Sequence, residues 1–208
     1  MTSETILKES CVETFAEAQY AENSGAQLLE LCSLLNLGGL TPSISFTQKC
    51  LAHLKLPIKV MIRPKSGNFI YNAAEIALMQ MQILQLKKIG ISHFVLGALT
   101  LENKIDLAVL KKLSETAGEA TLTFHKAFDC LEDWKEGIDQ LLDFENITHI
   151  LSSGGAETAL EGKEILIKLM KYSGSRITII PAGKITRLNI HRIHELLHAS
   201  HYHGRKIV

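Results

Sequence analysis

The strongest constraint in this sequence is a regular alternation of strand-like apolar runs and helix-like hydrophobic periods, without Pro-, Ser- or Gly-rich linkers between units. Strands joined by helices pair in parallel through right-handed crossovers, which restricts the chain to an α/β fold. Strands are predicted at residues 6–12, 27–32, 58–63, 93–99, 120–125, 148–152 and 177–181, with a short one near Tyr202. Eight strands in 208 residues leave about 26 residues per unit, and eight such units close most simply into a (β/α)8, or TIM, barrel.

The segments between these strands carry helical patterns, most clearly in NAAEIALMQMQILQLKKIG. Apolar residues recur there at steps of three and four, which predicts a buried stripe on a helix that faces a sheet. The stripe consists of Ile76, Met79, Ile83 and Leu86. Glycines favour a left-handed helix end, and they stand at four predicted junctions from helix to strand, namely Gly25, Gly90, Gly118 and Gly174.

The alternative to a barrel is an open, doubly wound parallel sheet. That fold usually carries G-x-G-x-x-G or G-x-x-x-x-G-K-[ST] directly after its first strand. Here the first strand continues into CVETFAEA, which matches neither pattern. We therefore expect a barrel, formed as a single domain over residues 1–208.

Composition narrows the function classes. The 22 Lys and Arg balance 22 Asp and Glu, with a pI near 7.1, so no basic face is expected for nucleic acid or an anionic membrane. No apolar run approaches the roughly 18 to 20 residues of a spanning helix, and the start MTSETILKES lacks a signal-peptide layout. We expect a cytoplasmic protein whose four scattered cysteines are reduced thiols.

Reactive side chains cluster where the predicted strands end, which is the functional face of a TIM barrel. They are Glu9, Cys11, Glu30, Cys32, Arg63, His125 and Asp129. The E-x-C spacing in each of the first two strands places a carboxylate and a thiol on one face. Carboxylates beside an Arg and a His can act as base, anion clamp and acid. The alternative is a buried ionic layer that plugs the barrel, because unpaired charges are costly there.

The thiols of Cys11 and Cys32 suggest a different chemistry. On adjacent strands they can approach closely enough to bind a soft monovalent metal such as Cu(I). Cysteine is also among the most frequently buried residues, so either thiol can instead serve as a small apolar side chain. Cys50 and Cys130 have no predicted partner.

Small residues after the sixth and seventh strands are candidates for anion binding. Ser153, Gly154 and Gly155 follow one strand, and Ala182 and Gly183 follow the next. Small residues free backbone N–H groups for an anion such as phosphate. Tight turns also require small residues, so the sequence does not decide between an anion site and a turn.

The segment HELLH, from His194 to His198, matches the zinc-protease pattern H-E-x-x-H. The extended pattern needs Gly and His three and six residues later, but His201 and Gly204 occupy those positions. Only ten residues remain for a distant third ligand. We therefore expect a solvated helix with histidines at helical spacing.

Several short stretches occur in a fixed order: E-x-C-V-E, ELCS, GGLTPS, MIRP followed by GNFIYN, FVLGALT, TFHKAFD, LSSGG and PAGKIT. From about Glu9 to Gly204 the chain resembles the copper-homeostasis protein CutC family. The resemblance implies a (β/α)8 barrel, a cytoplasmic location, dimers or tetramers, and a role in copper handling by cysteine thiols. It also implies that the following residues face the mouth of the barrel: Glu9, Cys11, Glu30, Cys32, Arg63, His125, Asp129, Ser153 and, in HYHG, His203.

The chain departs from the family pattern in three places. The Gly-rich turn after strand seven is reduced to PAGK, and MIRPKSGN replaces a more usual Arg-Gly-Gly-Asp stretch, although Arg63 remains. The sequence ends at HYHGRKIV, where longer relatives continue with a closing helix. We therefore expect the eighth outer helix to be missing. Self-association, or an N-terminal or tail segment, should then cover the outer faces of strands one and eight.

Two hypotheses of function follow. The first is a copper-homeostasis protein that binds Cu(I) through Cys11 and Cys32. The second is an enzyme of lyase, isomerase or hydrolase type that acts on a small anionic or carbonyl metabolite. Its candidate residues are Glu9, Glu30, Arg63, His125, Asp129 and His203. Hard carboxylates, Arg and His suit the second better than a soft copper ion.

Overall fold

The computed structural model describes residues 6–208, so the first half of the polar start MTSETILKES lies outside the described residues. The strands are β1 (Leu7–Val12), β2 (Leu28–Leu31), β3 (Ile58–Met61), β4 (His93–Leu96), β5 (Thr121–Phe124), β6 (Ile147–Ser152), β7 (Thr178–Pro181) and β8 (His201–Gly204). The helices are α1 (Phe15–Asn23), α2 (Ile44–His53), α3 (Ala73–Lys88), α4 (Leu107–Ala117), α5 (Trp134–Leu142), α6 (Lys163–Ser173) and α7 (Ile190–Leu197). Short 3₁₀ turns cover Leu35–Leu37 and Lys126–Cys130.

The strands form one parallel sheet in the order β7-β6-β5-β4-β3-β2-β1-β8. Beyond the ends of β7 and β8, Thr186 forms a parallel bridge to Lys206. There the Arg187 N–H donates to the Lys206 carbonyl at 2.8 Å. With helices between successive strands, the sheet is a nearly closed (β/α)8 barrel, so the predicted fold class is confirmed.

All eight predicted strands are present, but several end earlier than predicted. The strand predicted at 58–63 ends at Met61, and the one predicted at 93–99 ends at Leu96. Residues just beyond these ends, such as Ile62 and Leu99, are not part of the sheet, but they are still buried. Because they are apolar, they continue the sequence pattern of the strand. The carboxyl ends of the strands thus lead directly into buried loops at one face of the barrel.

The predicted helical signals are also found. In α3, Met79, Ile83 and Leu86 are fully buried, and Ile76 is partly buried against the same core. Asn72 and Glu75 form a capping box at the start of this helix. The four glycines predicted at helix ends all have positive φ. The main core therefore lies between the helices and the outer face of the sheet.

Within residues 6–208 no helix follows β8. The tail instead lies on the outside of the sheet, where Ile207 is fully buried in the main core. Val208 packs against this core and against a second apolar cluster that includes Val12 and Leu31. Tyr202 of β8 is fully buried, and its hydroxyl accepts a hydrogen bond from the Ala199 N–H at 2.9 Å. The tail thus covers part of the surface for which a covering segment or self-association was expected.

Candidate functional site

The interior of the barrel is polar because alternate strand residues point inward and many of them are charged. Glu9 and Cys11 of β1 are buried, as are Glu30 of β2 and Cys32 immediately after it. The same alternation places Lys59 inside from β3. The E-x-C spacing therefore brings the two carboxylate and thiol pairs together, as the sequence predicted.

A buried ionic cluster is centred on Glu9. Its Oε2 lies 2.7 Å from the Lys59 Nζ and 2.9 Å from the His201 Nε2. Its Oε1 accepts a hydrogen bond from the His203 Nδ1 at 2.8 Å. Burial alone would raise the pKa of Glu9, but Lys59 and the two histidines hold it well below its usual range. Glu9 is therefore ionised. It lies in a buried ionic layer of the kind predicted as the alternative, and it does not itself line the cavity at the mouth.

Sequence reasoning did not find Lys59 or His201. Lys59 lies four residues before Arg63, and His201 lies two before His203, so inward alternation was the available signal. Two further histidines lie nearby, and burial, helped by Lys59, lowers the pKa of His93 to about 3 and that of His149 to about 4. Both rings are neutral near neutral pH.

Glu30 is the second carboxylate in this interior. Its Oε1 accepts a hydrogen bond from the Cys32 thiol at 3.3 Å. Its Oε2 has no hydrogen-bond partner among the described residues, and the nearest cation, His203 Nδ1, is 4.0 Å away. Burial and the neighbouring Glu9 charge raise the pKa of Glu30. The two carboxylates thus have opposite pKa shifts, a common arrangement where one group is kept as an acid.

The four cysteines lie in different environments. Cys11 and Cys32 border the same cavity, whereas Cys50 is buried in α2 and Cys130 is exposed. Burial and the Glu30 carboxylate raise the pKa of Cys32 well above its usual range. Burial raises the pKa of Cys50 to about 11. Cys50 and Cys130 are thus placed away from the other two thiols.

Arg63 is held by backbone carbonyls rather than by a carboxylate. Its Nη1 donates to the carbonyls of Gly38 at 3.1 Å and of Gly39 at 3.3 Å, and its Nη2 donates to the Gly67 carbonyl at 2.8 Å. The guanidinium lies over the Phe69 ring, 4.8 Å from its centroid. Its buried Nε has no hydrogen-bond partner in the described part of the chain. Backbone carbonyls thus surround the positive charge, and no carboxylate pairs with it among residues 6–208.

His125 lies on the same aromatic ring, with 4.8 Å between the centroids of His125 and Phe69. Its Nδ1 accepts a hydrogen bond from the Ala127 N–H at 3.2 Å. Burial, together with the Arg63 charge, lowers the pKa of His125 to about 3, so the neutral ring carries its proton on Nε2. That nitrogen is buried and unpaired within residues 6–208. A Cβ on Gly97 would lie 2.6 Å from Nδ1, so the ring requires glycine there.

These groups enclose a cavity of about 350 Å³ at the carboxyl ends of the strands. Its lining includes Cys11, Glu30, Cys32, Arg63, Phe69, His125 and His203, with Lys126 and Arg205. The cavity contains two thiols, a buried acid, and two N–H donors, Arg63 and His125, that both contact the Phe69 ring. Such a set can bind the oxygens of a small ligand and transfer protons to or from it.

Asp129 does not line this cavity. Its carboxylate accepts hydrogen bonds from the Ser152 hydroxyl at 2.5 Å, from the Ser153 N–H at 2.9 Å and hydroxyl at 2.9 Å, and from the Gly155 N–H at 3.1 Å. The Gly154 N–H donates to the Ser152 hydroxyl at 2.9 Å. The loop therefore binds the carboxylate of Asp129 with the donors that the sequence offered for an external anion.

The remaining predicted anion residue, Gly183, packs against this loop. Its carbonyl accepts a hydrogen bond from the Ala159 N–H at 3.0 Å. A Cβ at Gly183 would lie 2.9 Å from the Ser153 Cβ. The small residues after β6 and β7 thus permit close packing between two loops.

The HELLH segment lies on α7 and the residue after it. The His194 Nδ1 lies 3.1 Å from the Tyr202 hydroxyl, and His198 ends the helix with positive φ. Across the described residues, the only three groups placed to share a metal ion are Glu9, Glu30 and His203, whose ligand atoms lie within 4.8 Å of one another.

The fold and site define the class of protein: a TIM-barrel protein with charged groups and thiols buried at the carboxyl ends of its strands. More particularly, the chain belongs to the CutC family, whose profile matches residues 6–208. In the described residues no helix is both long and apolar enough to cross a membrane.

Individual relatives agree with this assignment. A CutC family protein of Enterococcus faecalis is 37% identical, with 98% of this chain and 100% of that protein covered. The human copper homeostasis protein cutC homolog is 36% identical over 95% of this chain and 72% of that protein. The crystal structure of CutC from Streptococcus agalactiae superposes with a TM-score of 0.93 at 32% identity, covering 98% of this chain and 100% of that one. The family resemblance in the sequence is thus confirmed.

Proposed function

We propose that this protein is an enzyme that binds a small anionic or carbonyl metabolite in the cavity at the mouth of its barrel. The observation that carries the proposal is the pair of buried N–H donors, Arg63 Nε and His125 Nε2, which lack partners among the described residues. A buried donor left unpaired costs about 1–3 kcal/mol. A ligand with carbonyl or carboxylate oxygens would satisfy both.

The electrostatics of the cavity favour the same class of ligand. Within residues 6–208, the Nη atoms of Arg63 donate hydrogen bonds to backbone carbonyls and to no carboxylate. Lys126 and Arg205 add positive charge to the lining of the cavity. A neutral His125 donates a hydrogen bond without adding charge. Glu30, with its raised pKa, is suited to donate a proton to the ligand.

Thermal-shift measurements with sodium oxalate test this proposal. Sodium chloride at equal ionic strength controls for general salt effects on stability. Oxalate should raise the Tm of the wild type, and the rise should be lost in Arg63→Lys and His125→Phe. Arg176→Lys is the matched control, because Arg176 lies outside the cavity. No rise with oxalate, and no anion beside Arg63 after a crystal soak with sulfate, would contradict the proposal.

A second candidate function is Cu(I) binding, with copper as cargo. The specific observation in its favour is that the thiols of Cys11 and Cys32 border one cavity together with His203. Thiolate and imidazole donors suit Cu(I), and relatives of this chain carry the name copper homeostasis protein. Cys11 and Cys32 are the residues that would hold the ion.

Anaerobic Cu(I) titration against a competing chelator separates the two candidates. We expect affinity to fall in the Cys11→Ser/Cys32→Ser double variant and to persist in Cys50→Ser, which removes a buried thiol elsewhere. An unchanged affinity in the double variant would exclude a thiol site. We further propose a cytoplasmic dimer or tetramer, as the family resemblance implies; light scattering that finds a monomer would reject the oligomer.

A further inference from the structure

Three potential metal ligands lie together beside the mouth cavity, and each comes from a different strand. Glu9 lies on β1, Glu30 on β2 and His203 on β8, and β1 pairs with both of the other strands. Their ligand atoms all lie within 4.8 Å of one another. Side chains on strands are held more precisely than side chains on loops. The barrel therefore fixes the spacing of these groups before any ion binds.

The separations are close to those around a coordinated zinc ion. Oε1 of Glu9 lies 2.8 Å from Nδ1 of His203, and that nitrogen lies 4.0 Å from Oε2 of Glu30. Zn–N and Zn–O bonds of about 2.0–2.2 Å place the ligand atoms of a tetrahedral site roughly 3.3–3.6 Å apart. The first contact must therefore widen, and the second must shorten, by about half an ångström. Small changes of side-chain torsion angles provide such shifts.

Glu30 supplies an observation that is independent of these distances. Glu30 is 2% exposed, and its Oε2 has no hydrogen-bond partner in the described part of the chain. Its other oxygen accepts a hydrogen bond from the Cys32 thiol, which is a weak donor. Burial of an unpartnered carboxylate oxygen is unfavourable. A cation between Oε2 and the His203 ring would remove this cost.

The contacts of Glu9 leave one of its oxygens for the same cation. Lys59 Nζ and His201 Nε2 both approach Oε2, at 2.7 Å and 2.9 Å. Oε1 faces His203 instead. Because a metal binds ionised carboxylates and a neutral imidazole, the ligand state contains two carboxylates against one lysine. This balance favours a positively charged ion at the free edge of Glu9.

We propose that Glu9, Glu30 and His203 form a site for one Zn²⁺ ion. Two oxygens and one imidazole nitrogen suit zinc better than the soft Cu(I) ion. Glu30 and His203 line the cavity of about 350 Å³, so the fourth position of the ion is open to it, as in catalytic zinc sites. The inference goes beyond the proposed anion site and does not rest on it, because Arg63 and His125 are not ligands.

Binding of zinc displaces protons, since metal ligands must be deprotonated. The Nδ1 proton of His203 leaves to solvent, and the ion takes its place between the ring and Glu9. Glu30 binds as a carboxylate, so the proton-donor role proposed for it belongs to the metal-free protein. In the metal-bound protein, the ion would polarise an oxygen of the small ligand as a Lewis acid.

Isothermal titration calorimetry of the tag-free protein with zinc chloride tests the site. The wild type should bind one Zn²⁺ per chain, whereas Mg²⁺, which requires octahedral oxygen ligands, should bind far more weakly. Glu30→Gln keeps the shape of the side chain, and its Oε2 has no hydrogen bond to lose, so the variant should fold. We expect it to weaken zinc binding about 100-fold or more, since even outer partners of metal ligands contribute roughly 10–100-fold.

Two control variants separate this site from zinc bound elsewhere. Glu102→Gln, at an exposed carboxylate, should leave the zinc affinity unchanged. His198→Asn removes one histidine of HELLH and keeps a residue that tolerates positive φ. It should also bind zinc like the wild type. A loss of affinity in His198→Asn that equals the loss in Glu30→Gln would contradict the assignment.

Co²⁺ in place of zinc identifies the donor atoms. Its absorption spectrum should lack the sulfur-to-cobalt charge-transfer band, because the proposed ligands include no thiol. A strong band of this kind would place Cys11 or Cys32 on the ion and overturn the proposed ligand set.

A crystal soaked with zinc chloride gives the decisive readout. Anomalous scattering at the zinc edge should show a peak within bonding distance of Glu9, Glu30 and His203. No zinc binding by the wild type, an unchanged affinity in Glu30→Gln, or a peak at other residues alone would overturn the inference. The oxalate measurement on zinc-free protein tests the anion site by itself, so either proposal can fail while the other stands.

Discussion

Glu9 and His203 lie directly opposite each other on the paired strands β1 and β8, with 2.8 Å between Glu9 Oε1 and His203 Nδ1. The two residues are 194 positions apart in the chain. Closing the barrel next to β1 therefore creates the central contact of the site. The contact therefore requires the barrel to be closed at this seam.

The ion pair between Glu9 and Lys59 predicts that removal of the lysine charge strongly destabilises the folded protein. Lys59→Met leaves the Glu9 carboxylate buried with only imidazoles, so the free energy of unfolding should fall by about 3–5 kcal/mol. Urea denaturation measures this difference. Lys111→Met, at an exposed ion pair, should leave the midpoint unchanged. The double variant Glu9→Gln/Lys59→Met should regain much of the lost free energy of unfolding, because it has no unpaired buried charge. A double variant as unstable as Lys59→Met would contradict an ion pair between Glu9 and Lys59.

The neutral His125 predicts a loss of stability on acidification. In the folded protein its pKa is about 3, whereas the unfolded side chain takes up a proton near 6.5. Between these values the unfolded state binds one more proton, so unfolding becomes easier as the pH falls, by about 1.4 kcal/mol per pH unit.

His125→Gln should therefore reduce the slope of the unfolding free energy against pH by one proton between pH 6 and about 4.5. The exposed His191→Gln is the matched control and should leave the slope unchanged. Urea titrations at several pH values give both slopes. Equal slopes for the wild type and His125→Gln would mean that His125 titrates normally in the folded protein.

The Asp129 contacts predict a structural effect rather than a loss of ligand binding. Asp129→Ala removes the acceptor for Ser152, Ser153 and Gly155, and should cost about 2–3 kcal/mol, since hydrogen bonds to a charged group are strong. Hydrogen exchange should rise in the loop after β6, while oxalate should still raise the Tm. The exposed Glu132→Ala serves as control. Loss of the oxalate effect in a folded Asp129→Ala protein would place Asp129 in the ligand site.

The buried tail predicts that Ile207 stabilises the barrel. Ile207→Ala should lower the free energy of unfolding by about 2–4 kcal/mol, because the side chain is fully buried in the main core. Ile167, which is 44% exposed on α6, provides the same substitution at the surface and should cost much less. Similar effects of the two substitutions in urea denaturation would show that the tail does not cover the core.

The sequence by itself determined the barrel. Its alternation of strands and helices, the buried stripe of α3 and the glycines at helix ends depend on neighbours a few residues away, which a sequence displays directly. It also identified six of the thirteen residues that line the cavity, among them Glu30, the two thiols and Arg63, because these residues stand where strands end. Only the lengths of several strands were overestimated, since buried loop residues have the same apolar pattern.

Tertiary structure alone decided what each polar group contacts. Lys59 and His201 enter the site through inward alternation and barrel closure, and the loop after β6 binds Asp129 from the preceding unit. The physical reason is that the pairing and pKa of a buried charge depend on groups within a few ångströms. These groups come from strands far apart in the sequence, and only the closed barrel brings them into contact.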